Sequence, residues 1–229
     1  MTSSELADVL EGRARWCVVE GDSEDILATM PRVSLLCTDP PYGIGSWSSS
    51  GGNSLRPDEC AAANEWDRAP SDATMRLMVS LADEAIVWGG NYLCGPLGRF
   101  RSPLIWDKSI RGMHYADGEL AWTNFAHGSL RIFNLAAGAS DARGSRQHPT
   151  QKPVALMMWC LGLAKATGIV LDPFAGSGTT GVAALRLGRR CILIEKDPKY
   201  AALCRERMQA EESGSTLQAT RAGQEPLFR

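Results

Sequence analysis

No apolar run in this 229-residue chain is long enough to span a bilayer, so a helical membrane segment is not expected. The opening residues, Met1 to Leu6, lack the charged and apolar regions of a signal peptide. Seven cysteines, at 17, 37, 60, 94, 160, 191 and 204, show no paired spacing. That disfavours a disulfide framework and a zinc site, and fits reduced thiols in a cytoplasmic protein. A net charge of −2 gives no global signature of a nucleic-acid binder, and there is no internal repeat. What remains, with 44% hydrophobic residues, is a single domain of ordinary size over 1–212, followed by a polar tail over 213–229 that is expected to be disordered.

Short apolar runs alternate with amphipathic stretches, which predicts an α/β fold around a doubly wound, mostly parallel sheet. Strands are expected at 15–19, 33–37, 85–88, 104–106, 169–171 and 191–194, with an antiparallel edge hairpin formed by 119–122 and 130–134. Pro153 suits a first helical position ahead of Val154, Met157, Met158 and Leu161. Thr179 to Leu187 is small and apolar and stops at Gly188, and Asp197 with Pro198 opens a further helix. A fourth helix is expected over 73–84. The Gly/Ser-rich stretch within 43–72 predicts a mobile loop, with Trp47 as a possible stacking residue. Basic residues outnumber acidic ones between Arg99 and Lys152, and all three histidines lie there, so 99–150 is the candidate region for contacting phosphates.

Two motifs bear chemistry. Asp39-Pro-Pro-Tyr42 follows the apolar run 33–37, at a strand end, where ligands bind in open α/β sheets. Pro40 and Pro41 fix the backbone and continue neither a helix nor a ladder. Asp39 and the Pro40 carbonyl can therefore accept two hydrogen bonds from one planar amine while Tyr42 stacks on its ring. A plain proline turn is the bland alternative. The second motif is strand, glycine loop and helix start: Asp172-Pro-Phe174, then Gly176, Ser177, Gly178 and Thr179, with Glu195 closing the next strand. This is the pattern of a nucleoside-bearing cofactor, with the acidic residue on the ribose. Asp172 would repel a pyrophosphate but suits an ammonium or sulfonium, to which Phe174 offers a face. That favours S-adenosylmethionine over a dinucleotide, and a dehydrogenase is the weaker reading.

Together with His148-Pro-Thr-Gln-Lys-Pro153, these motifs resemble the amino-methyltransferases of DNA. Having the catalytic motif ahead of the cofactor loop is similar to their circularly permuted beta group. Trp88-Gly-Gly-Asn-Tyr92, Trp106-Asp-Lys108 and Glu119-Leu-Ala-Trp122 are similar to short phage-type adenine enzymes. The resemblance covers residues 18–208 and implies a seven-stranded Rossmann-like sheet, double-stranded DNA as partner and a base turned out of the duplex. It places Asp39, Pro40, Pro41 and Tyr42 at the target amine. Asp22 falls near the adenine of the cofactor, Phe174, Gly176 and Gly178 in the cofactor loop, Thr179 and Lys152 at the carboxylate end, and Glu195 at the ribose. Asp22 reads equally well as a helix N-cap. Adenine is favoured over cytosine as the target base, and little chain is left for reading a long recognition sequence. A non-catalytic DNA-binding relative is the rival of another class. Gln224-Glu-Pro-Leu227-Phe228 is similar to peptides that dock on bacterial sliding clamps, against the alternative of an ordinary disordered end.

Overall fold

Cys17, Val18 and Val19, like Ile192, Leu193 and Ile194, are apolar without interruption, as strands covered on both faces must be. The computed structural model describes residues 3–45, 67–112, 116–136 and 151–215. In chain order the elements are α1 (Ser3–Leu10), β1 (Trp16–Glu20), α2 (Ser23–Leu27), β2 (Val33–Thr38), α3 (Asp72–Ser80), β3 (Ala82–Trp88), α4 (Cys94–Leu97), β4 (Leu104–Asp107), β5 (Gly118–Thr123) and β6 (Arg131–Asn134). They continue with α5 (Val154–Leu163), β7 (Val170–Asp172), α6 (Thr179–Arg186), β8 (Cys191–Glu195) and α7 (Pro198–Ser213). Among the described residues no helix is long and apolar enough to cross a membrane.

The strands form one sheet in the order β1-β8-β7-β2-β3-β5-β4-β6. Among the described residues it has eight strands rather than the seven implied by the resemblance. The edge hairpin also differs from expectation. β5 pairs antiparallel with β3 and with β4, whereas β6 runs parallel to β4 at the edge. Lys108 N donates to Asp117 O at 3.0 Å and closes the β4–β5 pair. Ser102 Oγ then donates to Phe125 O at 2.9 Å and accepts from Gly128 N at 2.9 Å. The chain leaving β5 is thereby drawn past the start of β4, and β6 emerges on its far side.

Alternate residues of each strand feed two cores. Leu35, Cys37, Ile86 and Leu193 pack with Val154, Leu156, Met157, Cys204 and Met208 of α5 and α7. Leu36, Val87, Ile192 and Ile194 pack with Val9, Leu27, Met75 and Met78 of α1, α2 and α3. Helices therefore cover both faces. α3 stops at Ser80, short of the expected 84, because Ala82 already starts β3. Pro153 stands at the N-cap of α5 (ψ 137°) rather than inside the helix. Asp197 caps α7 as expected, accepting from Lys199 N at 2.7 Å. α7 ends at Ser213 against a left-handed Gly214.

β1, β8, β7, β2 and β3 are mutually parallel, so their carboxyl ends lie along one edge of the sheet. From β2 the chain moves to β3 through α3, and from β7 it moves to β8 through α6. The winding reverses between β7 and β2, and such a reversal opens a crevice at the carboxyl edge. Asp39 and Asp172 stand on its two sides.

Candidate active site

Thr38 ends β2, and its Oγ1 donates to Asp172 Oδ1 at 2.7 Å across the crevice. Asp172 also accepts from Phe174 N at 3.1 Å, and from the Thr180 side chain. It is 3% exposed, and burial raises its carboxyl to about 6 against these hydrogen bonds. The structure thus sets Asp172 inside, as a tie between the two motif strands, with Phe174 half-buried above it.

Beyond Thr38 the chain turns at Asp39-Pro-Pro-Tyr42. Tyr42 OH donates to Asp39 Oδ1, and Lys152 Nζ donates to Asp39 Oδ2 at 2.7 Å. Each carboxylate oxygen has a second lone pair, and 22% of the Asp39 side chain is exposed, so a ligand amine can still reach it. Among the described residues no backbone or side-chain donor is bonded to the Pro40 carbonyl. Burial pushes the Asp39 carboxyl up and Lys152 pulls it down, with a net upward displacement.

Lys152 is 6% exposed. Its ammonium also bonds Glu119 Oε2 at 2.8 Å, and Lys108 holds Glu119 Oε1 at 2.7 Å. The two lysines outweigh burial and hold Glu119 down at about 2. Lys152 stays protonated because Asp39 and Glu119 both face it.

Residues outside the motifs shape the turn. Asp67, buried, accepts from Tyr42 N at 3.0 Å, Gly43 N at 2.8 Å and Gly45 N at 3.1 Å. The far end of the expected mobile loop is accordingly fixed, since Asp67 pins the Asp39–Tyr42 turn and Ser71 caps α3. Residues 46–66, including Trp47, lie outside the described residues. Gly89 has φ +72°, and a Cβ there would fall 2.0 Å from the Tyr42 ring, so only glycine lets that ring sit against β3. Tyr92, half exposed, stacks on Tyr42 with centroids 5.2 Å apart.

On the other side of the crevice, Gly176 and Gly178 are left-handed, at φ +52° and +82°. Their reasons differ. A Cβ on Gly176 meets nothing within 4 Å, so that backbone faces open space where a ligand can approach. A Cβ on Gly178 would fall 2.6 Å from Cys204 Sγ, so Gly178 lets α6 pack on α7. Glu195 accepts from Gly176 N at 2.7 Å and from Asp197 N at 2.8 Å, and burial lifts its carboxyl. Ser177 and Thr179 are buried, and Arg207 from α7 donates to Ser177 O at 2.7 Å and to Thr179 Oγ1 at 3.3 Å. Asp22 caps α2 through Glu24 N at 3.0 Å and pairs with exposed Lys196 at 2.7 Å. Open space at Gly176, an acidic strand end at Glu195 and an aromatic face at Phe174 together fit a nucleoside with a charged amino-acid tail. Among the described residues no cluster suited to a metal ion occurs.

The sequence missed Lys108, Glu119, Asp67, Gly89 and Arg207 as supports of the site. Of the basic stretch, Lys152 and Lys108 are engaged with carboxylates and Arg111 pairs with Asp107 at 2.7 Å. Arg99, Arg101, Arg131 and His127 are exposed, while His114, Arg143, Arg146 and His148 lie outside the described residues.

Residues 98–206 match the family described as DNA methylase. The type II methyltransferase M2.DpnII of Streptococcus pneumoniae is 50% identical over 244 residues, covering 85% of this chain and 90% of the relative. The chain belongs to the DNA amino-methyltransferase family. Its solved neighbours share the fold of these enzymes. The M1.HpyAVI–SAM complex superposes with a TM-score of 0.58 at 21% identity, covering 84% of this chain and 98% of the other. The cytosine-N4-specific PvuII DNA methyltransferase does so with a TM-score of 0.58 at 16% identity, covering 93% and 95%. The methyltransferase is therefore an S-adenosylmethionine-dependent enzyme whose substrate is an amino group, adenine-N6 or cytosine-N4, of DNA.

Proposed function

We propose that this methyltransferase acts on the N6 amine of an adenine that has been turned out of double-stranded DNA. The observation that carries the reading is the pair of acceptors at the crevice, the Asp39 carboxylate and the Pro40 carbonyl. They stand beside the glycine loop and are tied to it through Thr38 and Asp172. The amine of adenine is a poor nucleophile because its lone pair is delocalised into the ring. Asp39 and Pro40 accept its two N–H groups and draw the nitrogen toward tetrahedral geometry, which returns the lone pair. Pro41 keeps the turn rigid and Tyr42 stacks on the base. When bound, S-adenosylmethionine supplies a methyl group on a positively charged sulfur. Gly176, Ser177, Gly178 and Thr179 frame the cofactor, Glu195 accepts from its ribose, and Asp22 stands near its adenine. Phe174 offers a face to its cationic end, while Asp172 acts from beneath as the tie between the two strands and Lys152 is held by Asp39 and Glu119 rather than turned to its carboxylate. The enzyme's contribution is the alignment of two bound reactants. Exposed Arg99, Arg101 and Arg131 are suited to DNA phosphates. The possible clamp-binding residues Gln224, Leu227 and Phe228 lie outside the described residues.

The test is mass spectrometry of nucleosides from a host without adenine methylation. The wild-type chain yields methyladenine, and Asp39→Asn yields none while binding the cofactor with affinity within a few-fold of wild type by calorimetry. Methylcytosine in place of methyladenine would overturn the choice of base. Full activity in Asp39→Asn would overturn the mechanism.

A further inference from the structure

Glu119 lies outside the catalytic turn and the cofactor loop, yet it is held from both sides. Lys108 reaches one of its oxygens at 2.7 Å and Lys152 the other at 2.8 Å. Lys152 is also the ammonium on Asp39. The four side chains form an alternating row, Lys108–Glu119–Lys152–Asp39, that runs from the end of β4, through β5 and the approach to α5, to the end of β2. The sheet register builds it. Glu119 lies opposite Trp106 on the β4–β5 ladder, and Lys108 leaves β4 two residues later with its Nζ 5.1 Å from the Trp106 ring centre.

The row is poorly exposed, with 17% of the Lys108 side chain, 24% of Glu119 and 6% of Lys152 in contact with solvent. Buried ion pairs seldom stabilise a fold more than apolar residues of the same size would, so stability alone gives no reason for three of them in series. The row ends on the carboxylate that meets the target amine. A lone ammonium against Asp39 would neutralise it and weaken its hold on the amine hydrogens. A second carboxylate across that ammonium offsets the effect.

We propose that Glu119, fixed by Lys108, is a positioning residue that shares Lys152 with Asp39 and so sets how strongly Asp39 draws on the amine of the target base. The inference rests on the function proposed above. Besides Lys152 and Glu119, the ionisable groups around Asp39 are Tyr42 on its own turn, Cys37 on β2 and Asp172 on β7, and Cys160 of α5 faces Lys152. Glu119→Gln leaves Lys152 wholly to Asp39, which then stays ionised to lower pH. Lys108→Met removes a positive charge from the row and acts in the opposite direction.

The experiment titrates Asp39 in the full chain by NMR of 13C-labelled aspartate carboxyls, alongside the pH profile of kcat on DNA, for wild type, Glu119→Gln and Lys108→Met. The Asp39 midpoint moves down in Glu119→Gln and up in Lys108→Met, and the acid limb of kcat follows it. In Glu119→Gln the plateau kcat falls by about tenfold while KM for S-adenosylmethionine stays within about twofold. A purely structural role would move neither midpoint in opposite directions. Midpoints that stay put, or that move together, in an active enzyme overturn the inference; if Glu119→Gln does not fold, an unmoved or lowered midpoint in Lys108→Met does so. Midpoints that split as expected in a chain that methylates no DNA would instead overturn the functional reading and leave the charge coupling standing.

Discussion

Replacing Lys152 with Met keeps an unbranched side chain, one atom shorter, and removes its charge together with the N–H donors that reach Asp39 and Glu119. The ammonium lies 2.7 Å from Asp39 and 2.8 Å from Glu119, so the nearest oxygens of the two carboxylates are within about 5.5 Å of each other. At an effective dielectric constant of about 20, two unit charges at that distance repel by about 3 kcal/mol. Loss of one partner from a buried pair costs about 3–5 kcal/mol overall, because the remaining charge is left uncompensated. Lys152→Met is therefore expected to lose about 3–5 kcal/mol at pH 8. The loss depends on pH in a defined sense. Burial already raises the Asp39 carboxyl above its ordinary value, and without Lys152 it rises further. The penalty is present above the folded-state midpoint of Asp39 and is relieved as the pH falls through it and the group takes up a proton. Urea unfolding of the wild type and the variant at pH 8 and pH 5 measures this. With an m-value of about 3 kcal/mol/M, the midpoint drops by about 1 M or more at pH 8 and by clearly less at pH 5. A loss below about 1 kcal/mol, or an equal loss at both pH values, would refute the claim that Lys152 holds two buried carboxylates together.

Four further outcomes follow from the structure. Gly178→Ala combines a left-handed backbone with a Cβ 2.6 Å from Cys204 Sγ, and thermal or urea unfolding is expected to show a loss of about 2–4 kcal/mol. Gly176→Ala, facing open space, loses only about 1–2 kcal/mol but weakens cofactor affinity by about tenfold or more in calorimetry; unchanged affinity would remove Gly176 from the cofactor site. Gly89→Ala displaces the Tyr42 ring, so kcat on DNA falls by about tenfold or more while the Kd for S-adenosylmethionine stays put. Burial raises Asp172 to about 6, so its charge costs stability above that pH, and the cost is gone below about 3.8. Relative to wild type, Asp172→Asn should accordingly gain about 3 kcal/mol between pH 3.5 and pH 8 in urea unfolding, and a flat difference would refute the raised carboxyl.

The sequence made the parallel half of the sheet legible because its strands are buried on both faces and read as unbroken apolar runs. The edge was harder. β4 and β6 have four residues each, and so short an alternation names no partner, which is why 119–122 and 130–134 read as a hairpin although β4 lies between them. Asp83 and Glu84 disguised the first half of β3 as the end of a helix. At the site, spacing made the Asp39–Tyr42 turn and the glycine loop legible, since prolines and glycines leave a backbone signature. It did not reveal what supports them. The resemblance puts Lys152 at the carboxylate end of the cofactor, and only the fold shows Asp39 and Glu119, 113 residues and 33 residues away in the chain, on either side of it. Asp67 and Arg207 act through backbone groups whose positions only the fold supplies.

The bond from Thr38 to Asp172 has a consequence for how the two reactants find their distance. β2 and β7 are adjacent, hydrogen-bonded strands, and neighbouring strands are spaced about 4.8 Å apart with little freedom to change. On the function proposed above, the acceptor turn grows from one and the cofactor loop from the other, so the gap the methyl group must cross is ruled by the stiffest part of the molecule. Loops that flank the crevice shape the turn and the loop themselves, but not the spacing of the strands that bear them. On that reading the reaction geometry belongs to the sheet, and the distance between the two reactants is fixed before either of them binds.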